Sequence, residues 1–413
     1  MTMTKVISET ANASETPRTQ RVRELRKTLI DEAHAIGPFL SEHTDVGDRD
    51  LRLAEAVTEK LIDSQLFRLW QPRRYDGHEV DVATQIEVTA VLATYCASAA
   101  WVTALYGACC YFASLYSGEA QAEVFGTDKD ARVCGVLAPM AKIREVDGGI
   151  RVDGRWPYAS GSETATWATV GAPRPGGAEG TALLLLPMRE LTVDYTWDMI
   201  GMRGTSSNTL VCTDLFVPHH RILPFFCTDG AIAGHVPTEY QDEALYRTPL
   251  AGLASACIVG PLIGMAKSAL AHTLEHIVQR PVAYTFATDQ SALVSTQLAV
   301  ADAATKIDSA ELHIYRGARD LDEAAESGSE LSMVERARMR HDVGHGTRLL
   351  REAMNICQEL NGSSDMATGS KFARVWRDFS TASLHLALSP ATTSEVYGKA
   401  LCGHDPRTFS GLV

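Results

Sequence analysis

The chain has 413 residues, of which 45% are hydrophobic and 22% are charged, and this composition is typical of a globular protein with a large core. Its 51 acidic residues against 38 Lys and Arg give a net charge of −13, which argues against nucleic acid and against an anionic membrane as the main partner. The nine cysteines show no metal-ligand spacing, and no secretory signal precedes them. Reduced thiols and a cytoplasmic location are therefore expected.

Two charge-free stretches, 88–118 and 249–266, are long enough to span a membrane. Both are rich in Ala, Gly, Ser, Thr and Cys rather than in Leu and Ile. Helices that are buried on all sides inside a large protein fit this composition better than inserted spans. We therefore expect no membrane partner.

The N-terminal part of the chain is predicted to be helical after a polar, patternless tail at 1–18. Apolar residues then recur at helical spacing until Gly37 and Pro38, which are predicted to end the first long helix. A further amphipathic helix is predicted over 51–66. We place the N-terminal helical domain at 19–126.

Short β-prone runs and turn dipeptides follow, and we place a β domain at 127–230. An Asp-Gly-Gly turn at 147–149, an Asp-Gly pair at 153–154 and alternating apolar and charged residues between them predict a hairpin. Buried strands are predicted at 181–187 and at 209–218.

Helical periodicity returns in the last part of the chain, which we place at 231–413. Four long amphipathic segments are predicted as four antiparallel helices, which together favour a bundle. They are 249–280, 291–326, 331–361 and 371–402.

Four segments, taken in order, share motifs with one family of enzymes. They are AAWVTALYGACCYFASLYSGEAQAEVFG (99–126), VDGGIRVDGRWPYASGSETATW (146–167), GMRGTSSNTLVCTDLFVP (201–218) and RVWRDFSTASLH (374–385). With the order of helical, β and bundle regions, they resemble the acyl-CoA dehydrogenase superfamily, and within it the branch of two-component, reduced-flavin-dependent monooxygenases. The resemblance covers about residues 20–405. It implies an α+β, acyl-CoA dehydrogenase-like fold with an N-terminal α-helical domain, a middle β-barrel domain and a C-terminal four-helix bundle, assembled as a homotetramer.

The resemblance also implies the oxygenase component of such a system. Such a component uses reduced FMN or FAD and O2, through a C4a-hydroperoxyflavin, to hydroxylate a small aromatic or polyketide-like substrate. The chain shows no GxGxxG after a predicted strand, so it has no visible nicotinamide site. A separate NAD(P)H:flavin reductase, met transiently, is therefore expected to supply the reduced flavin.

Two catalytic residues follow from the same resemblance. Ser160 is implied to hydrogen-bond flavin N5, and His385, near the middle of the last predicted helix, is implied to be the general base. The other residues implied to contact the flavin are Trp156, Gly161, Arg280, Ser363 and Ser364, and those implied to contact the substrate are Trp101, Cys109, Leu137, Arg203 and Thr205.

Three alternatives stay open. Leu386 stands where many acyl-CoA dehydrogenases have a catalytic Glu, which lowers the case for a dehydrogenase or oxidase with tightly bound FAD. Cys109 stands where many enzymes of the branch have a His, and a thiol cannot replace an imidazole near neutrality. That departure keeps N-oxygenation of an amino sugar, as in the nitrososynthases, as an alternative. The third alternative is a superfamily member that has no catalytic activity and serves as a binding or scaffold protein.

Two pairs of histidines, His272 with His276 and His341 with His345, lie four residues apart on predicted helices and could each hold a metal ion. Neither pair has a third ligand at metal spacing. We interpret both pairs as solvated helix faces and predict no metal.

Overall fold

The computed structural model describes residues 17–177, 179–227 and 242–413. Six helices form the N-terminal part of the chain. They are α1 (Pro17–Glu42), α2 (Thr44–Asp50), α3 (Glu55–Asp63), α4 (Val82–Tyr95), α5 (Ala97–Ala113) and α6 (Gly118–Phe125). The predicted tail lies outside the described residues up to position 16, whereas Pro17 and Arg18, which were predicted to belong to it, begin α1.

The prediction that Gly37 and Pro38 end the first helix is wrong, because α1 continues through both residues to Glu42. The ring of Tyr95 packs where a Cβ at Gly37 would lie, so the glycine serves close helix packing rather than a turn. The helix predicted over 51–66 is shorter than expected and spans Glu55–Asp63.

Eight strands form the middle part of the chain. They are β1 (Val133–Val136), β2 (Ala141–Val146), β3 (Gly149–Ala159), β4 (Trp167–Pro173), β5 (Gly180–Pro187), β6 (Thr192–Asp194), β7 (Asn208–Pro218) and β8 (Ile222–Cys227). They make two four-stranded sheets, in the orders β1-β4-β5-β8 and β2-β3-β7-β6. The prediction of a β-barrel is therefore wrong, because no ladder joins the two sheets among the described strands. Trp156 bridges them by donating its Nε1–H to Gly171 O at 2.8 Å.

The strands predicted at 181–187 and 209–218 are confirmed as β5 and β7. The hairpin is confirmed as the antiparallel pair β2 and β3, which turns at Asp147 and Gly148. The Asp-Gly pair at 153–154 is not a turn, however. It lies inside β3, where the register with β7 shifts.

The last part of the chain is helical again. Its helices are α7 (Leu250–Ala256), α8 (Gly260–His276), α9 (Val294–Ser327), α10 (Met333–Asn361), α11 (Lys371–Ala382) and α12 (Pro390–Leu401). The second and third predicted helices are confirmed as α9 and α10, which pack against each other. The first and fourth are interrupted, and in both the second piece begins with a proline at its first turn.

The two charge-free stretches lie mostly inside the protein. Among the described residues, the helical stretch Gly252–His276 is long and apolar enough to cross a membrane, and 78% of its most apolar window is buried. Helix α5 is buried along almost its whole length. The boundaries of the three predicted domains stay a prediction, and the boundary at 230 falls outside the described residues.

Candidate active site

Three distant parts of the chain meet at one point. Helix α5 contributes Trp101, the end of β3 contributes Ser160, and the segment after α11 contributes His385. The Nε1–H of Trp101 donates a hydrogen bond to Ser160 Oγ at 3.3 Å. The Trp101 ring meets the His385 ring edge to face, with centroids 5.8 Å apart and planes at 65°. The structure therefore brings together three residues that the sequence analysis placed at the flavin and the substrate.

A series of hydroxyl groups leads inward from this meeting point. The Oγ atoms of Ser160 and Ser207 are 2.7 Å apart, and Ser207 Oγ is 2.7 Å from Thr205 Oγ1. Thr205 Oγ1 donates to Met202 O at 2.8 Å. All three hydroxyl residues are buried. We call Ser160, Ser207 and Thr205 the hydroxyl chain.

The end of the hydroxyl chain fixes the direction of its hydrogen bonds. Thr205 Oγ1 donates its only proton to Met202 O, so it must accept a hydrogen bond from Ser207 Oγ. Ser207 Oγ in turn accepts a hydrogen bond from Ser160 Oγ. A hydroxyl has one proton to donate. Ser160 can therefore turn its proton toward a bound ligand by giving up its bond to Ser207, while the bonds from Ser207 to Thr205 and from Thr205 to Met202 O stay intact.

The backbone around Ser160 is held in place from two sides. Gly161 N donates to Thr205 O at 2.8 Å, and the Tyr106 hydroxyl donates to Gly161 O at 2.6 Å. Gly161 has φ +78°, and a Cβ there would lie 2.6 Å from a Tyr106 ring atom, so only glycine fits. Met202 and Ser206 also have positive φ, a costly conformation that is concentrated at functional sites.

The loop that carries the hydroxyl chain is tied to α11. The buried carboxylate of Asp378 accepts a hydrogen bond from Met202 N at 2.5 Å. Arg377 Nε donates to Ile200 O at 2.9 Å. Burial raises the pKa of Asp378 to about 6, because the charged form loses its contact with water. Helix α11 therefore connects the hydroxyl chain to the segment that carries His385.

His385 does not lie within a helix, and the prediction of one continuous helix over 371–402 is wrong. Helix α11 ends at Ala382, and the chain resumes a helical path only in the short 3-10 turn Leu386–Leu388. We call residues 383–389 the His385 segment. Leu384 and Leu386, which flank the histidine, are 72% and 85% exposed. The break therefore turns His385 toward Trp101 while its neighbours face outward.

The protonation of the His385 ring follows from its contacts. Nδ1 accepts a hydrogen bond from Ala387 N at 3.2 Å, so a neutral ring carries its proton on Nε2. The residue is exposed at the surface. Loss of water around the ring, which packs against Trp101, lowers the pKa of His385 to about 4. The imidazole is therefore neutral near pH 7.

Comparison with known proteins identifies the family of the chain. Residues 256–390 match the model of the acyl-CoA dehydrogenase C-terminal domain. The FADH(2)-dependent resorcinol hydroxylase oxygenase component of Rhizobium sp. (strain MTP-10005) is 31% identical over 83% of this chain and 86% of its own length. The chain belongs to this family of oxygenase components. It is therefore a flavin-dependent monooxygenase of the two-component type, as predicted.

Two further relatives agree with this assignment. The oxygenase subunit HsaA of Rhodococcus jostii (strain RHA1), a flavin-dependent monooxygenase, is 29% identical over 88% of this chain and 95% of its own length. The solved structure of XiaF from Streptomyces sp. in complex with FADH2 and glycerol superimposes with a TM-score of 0.89, at 32% identity, over 95% and 99% of the two chains. The acyl-CoA dehydrogenase-like fold is thereby confirmed.

The oxygenase has a second group of predicted flavin residues on other elements. Arg280, just after α8, donates to Leu360 O and to Ser364 Oγ, both at 3.2 Å. Ser363 and Ser364 are exposed in the turn after α10. The structure therefore joins Arg280 to that turn, and their contacts with a flavin stay a prediction. It describes no contact between this group and the hydroxyl chain.

Two predicted site residues are packed deep in the protein. Trp156 is fully buried between the sheets. Cys109 faces β1, where a Cβ at Gly135 would lie 2.7 Å from its Sγ. Burial raises the pKa of the Cys109 thiol well above its usual value. Cys109 therefore stays protonated near neutral pH and cannot accept a proton in support of His385.

Arg203 and Leu137 lie at the edge of the site. The Arg203 guanidinium donates to Asp48 O at 2.8 Å and to Asp198 Oδ1 at 2.8 Å. These bonds hold the loop before β7 against the N-terminal helices. Leu137, just after β1, is partly buried against the core. Their substrate contacts stay a prediction.

Three residues of this site were not predicted from the sequence. Ser207 was quoted within the motif at 201–218 but was given no role, although a hydroxyl two residues after Thr205 was the available signal. Tyr106 lies on α5, five residues after Trp101, and no pattern marked it. Asp378 follows Arg377 directly, and its bond to Met202 N became visible only in the fold.

The residues present fit a flavin. Ser160 offers a buried hydroxyl whose proton is free to turn, and Trp101 offers a flat apolar wall beside it. These groups are uncharged and suit the polar edge of a heteroaromatic ring. Arg280 and Ser364 supply a cation and a hydroxyl that suit a phosphate. Ser160 and Trp101 would hold the ring system, and Arg280 with Ser364 would hold the phosphate.

Proposed function

We propose that the enzyme hydroxylates a small aromatic substrate with reduced flavin and O2, and that a separate NAD(P)H:flavin reductase supplies the flavin. The observation that carries this proposal is the convergence of Trp101, Ser160 and His385 from three parts of the chain. The relative from Rhizobium is named as a resorcinol hydroxylase, which supports a phenolic substrate class.

The bound flavin supplies the electrons that activate dioxygen, and the protein supplies position and protons. Ser160 would donate a hydrogen bond to the flavin ring in place of its bond to Ser207, while the bonds from Ser207 to Thr205 and from Thr205 to Met202 O stay intact. FMN and FAD were both left open by the sequence. We propose FADH2 as the natural form, because two relatives are named with it.

His385 acts on the substrate side as the general base. Its basic nitrogen, Nδ1, is occupied by Ala387 N–H, so the ring must turn away from Ala387 before it accepts a proton. The exposed leucines on both sides leave the His385 segment room for this movement. An anionic ligand beside the ring would also raise its pKa from about 4 toward neutrality.

We also propose that the enzyme is a cytoplasmic homotetramer that associates through its C-terminal helices. Several large apolar side chains in this region are more than two-fifths exposed, as is typical of a subunit interface. They are Leu274, Val278, Val294, Leu298 and Leu312. Light scattering of the purified chain measures the mass, and a monomer would contradict this part of the proposal.

The experiment that tests the function is turnover with chemically reduced flavin. The purified chain is mixed with reduced FAD or FMN, O2 and a panel of phenols, and product and hydrogen peroxide are measured. We expect hydroxylated product from at least one phenol with reduced flavin, and none with NADH alone. Turnover with NADH in the absence of a reductase, or flavin reoxidation at the protein-free rate, would contradict the proposal.

A further inference from the structure

A cluster of three possible metal ligands lies beside the turn that is predicted to hold the flavin phosphate, on other elements than the hydroxyl chain and the His385 segment. His272 and His276 are one turn apart on α8, and Asp365 lies in the short 3-10 turn Ser363–Met366. The ligand atoms of all three lie within 4.8 Å of one another. Asp365 is 93 residues from His272 in the sequence, which is why the sequence analysis found no third ligand for the pair.

The carboxylate of Asp365 already faces both imidazoles. His272 Nε2 is 2.6 Å from Asp365 Oδ2, and His276 Nδ1 is 3.9 Å from the same oxygen. Ser370 Oγ donates to the other oxygen, Oδ1, at 3.0 Å. Burial acts to raise the pKa of Asp365, but the hydrogen bonds from His272 and Ser370 outweigh it and lower the pKa. The contacts with His272 and Ser370 therefore hold the Asp365 carboxylate in one orientation.

The imidazole of His276 lacks hydrogen-bond partners in the described part of the chain. Its Nε2 is buried and has no hydrogen bond, and the 3.9 Å from Nδ1 to Asp365 is too long for one. Among the described residues, neither ring nitrogen of His276 makes a hydrogen bond. A half-buried imidazole in this state loses water without replacing it. An ion on Nδ1 would give that nitrogen a partner beside Asp365, while the buried Nε2 keeps none among the described residues.

We propose that His272, His276 and Asp365 bind a divalent transition-metal ion of the zinc class. Two imidazoles and one carboxylate suit zinc, cobalt and nickel rather than magnesium or calcium. A metal at about 2.0–2.2 Å from each ligand needs the ligand atoms to be about 3.2–3.6 Å apart. The distances of 2.6 and 3.9 Å lie on either side of that value, so small side-chain rotations would form the site.

A metal on His272 Nε2 would replace the hydrogen bond between this nitrogen and Asp365 Oδ2, and the neutral ring would then carry its proton on Nδ1. Two groups near the cluster limit its affinity. Arg280 reaches the same turn through Ser364, and its positive charge opposes a cation. The ring of Phe372 stacks on His272, with centroids 5.8 Å apart, and restricts its rotation.

The test is a zinc titration of tag-free enzyme that has been treated with a chelator and freed of it. Bound zinc is measured by calorimetry, and cobalt is then added for its visible absorption spectrum, which reports tetrahedral nitrogen and oxygen ligands. We expect one ion per chain. His276→Ala and Asp365→Asn should each weaken zinc binding by at least about tenfold.

His345→Ala is the matched control, because it removes the other histidine pair that is four residues apart and should leave zinc binding unchanged. His276→Ala leaves the His272–Asp365 hydrogen bond intact, so this variant should fold even if Asp365→Asn does not. Thermal unfolding checks each variant. Wild-type enzyme that binds no zinc, or His276→Ala that binds it as tightly as wild type, would overturn the proposal and leave a hydrogen-bonded pair only.

Discussion

The hydroxyl chain and the His385 segment meet at Trp101 but are built in opposite ways. The hydroxyl chain is buried, and the proton of Ser160 alone is free to change partner. The His385 segment is an exposed break between two helices, and its imidazole has one hydrogen bond within the part of the chain that the structure describes. One side is therefore fixed before any ligand arrives, whereas the other can move when a ligand binds.

This difference indicates a division of roles. A flavin is the same in every turnover, and a preorganised donor suits it. A substrate must enter, be positioned and leave, and an exposed segment suits that. Helix α11 connects the two sides, because Asp378 holds the loop of the hydroxyl chain and the His385 segment follows the same helix.

The largest expected effect is on the rate of product formation when the His385 segment is changed. His385→Ala should slow product formation by about 10²–10⁴-fold if the ring is the general base, and it should change the free energy of unfolding little because the residue is exposed. Rapid-quench measurement of product gives the rate. His385→Asn separates two roles, since an amide can donate a hydrogen bond but cannot accept the proton. Wild-type rates in the Asn variant would exclude the base.

The next largest effect is on the pH dependence of stability, and it tests the bond between Asp378 of α11 and the loop of the hydroxyl chain. Asp378 has a pKa of about 6 in the fold against about 3.9 in an unfolded chain, so the folded state holds its proton more strongly. Its contribution to stability is present below about pH 4 and is lost as the pH rises to about 6. Asp378→Asn keeps an acceptor for Met202 N but cannot ionise.

Relative to wild type, the Asn variant should therefore gain about 3 kcal/mol of unfolding free energy between pH 4 and pH 6. Chemical denaturation at a series of pH values measures this difference. Asp198→Asn, on the exposed side of the same loop, is the control and should show no such gain. Parallel curves for wild type and Asp378→Asn would show that Asp378 does not titrate as proposed.

A smaller effect, on the release of hydrogen peroxide, is expected when the hydroxyl chain is changed. Ser160→Ala removes the proton that is free to turn and leaves Trp101 Nε1 without its acceptor. One lost hydrogen bond is worth about 0.5–1.5 kcal/mol, so peroxide released per product formed should rise severalfold. Ser162→Ala is the control, because this buried hydroxyl donates to Ser206 O outside the hydroxyl chain. Equal peroxide release from both variants would assign Ser160 a structural role.

The smallest effect concerns the apolar neighbours of His385. Leu386→Ala removes a side chain that is 85% exposed in the chain, so the free energy of unfolding should stay within about 0.5 kcal/mol of wild type. Thermal unfolding measures it. A large loss would show that the His385 segment is packed, in the assembled enzyme, more tightly than the single chain indicates.

The sequence predicted the elements whose signals are local. Strands β5 and β7 and helices α9 and α10 follow from apolar patterns and were found as predicted. The Gly37 and Pro38 signal failed because the glycine serves contact with Tyr95, which no local pattern shows. The break at His385 was missed because apolar residues continue through it. In the site, motifs gave Trp101, Ser160 and His385, but the bonds of Ser207 and Asp378 depend on contacts between distant residues.

One single-turnover experiment tests the division of roles most directly. Enzyme loaded with reduced flavin is mixed with O2, without and with a phenol that it hydroxylates, for wild type, Ser160→Ala and His385→Asn. We predict that Ser160→Ala returns oxidised flavin and peroxide faster even without substrate. His385→Asn should match wild type without substrate and lose product only when the phenol is present. Faster peroxide release by His385→Asn without substrate, together with wild-type behaviour of Ser160→Ala, would contradict the account.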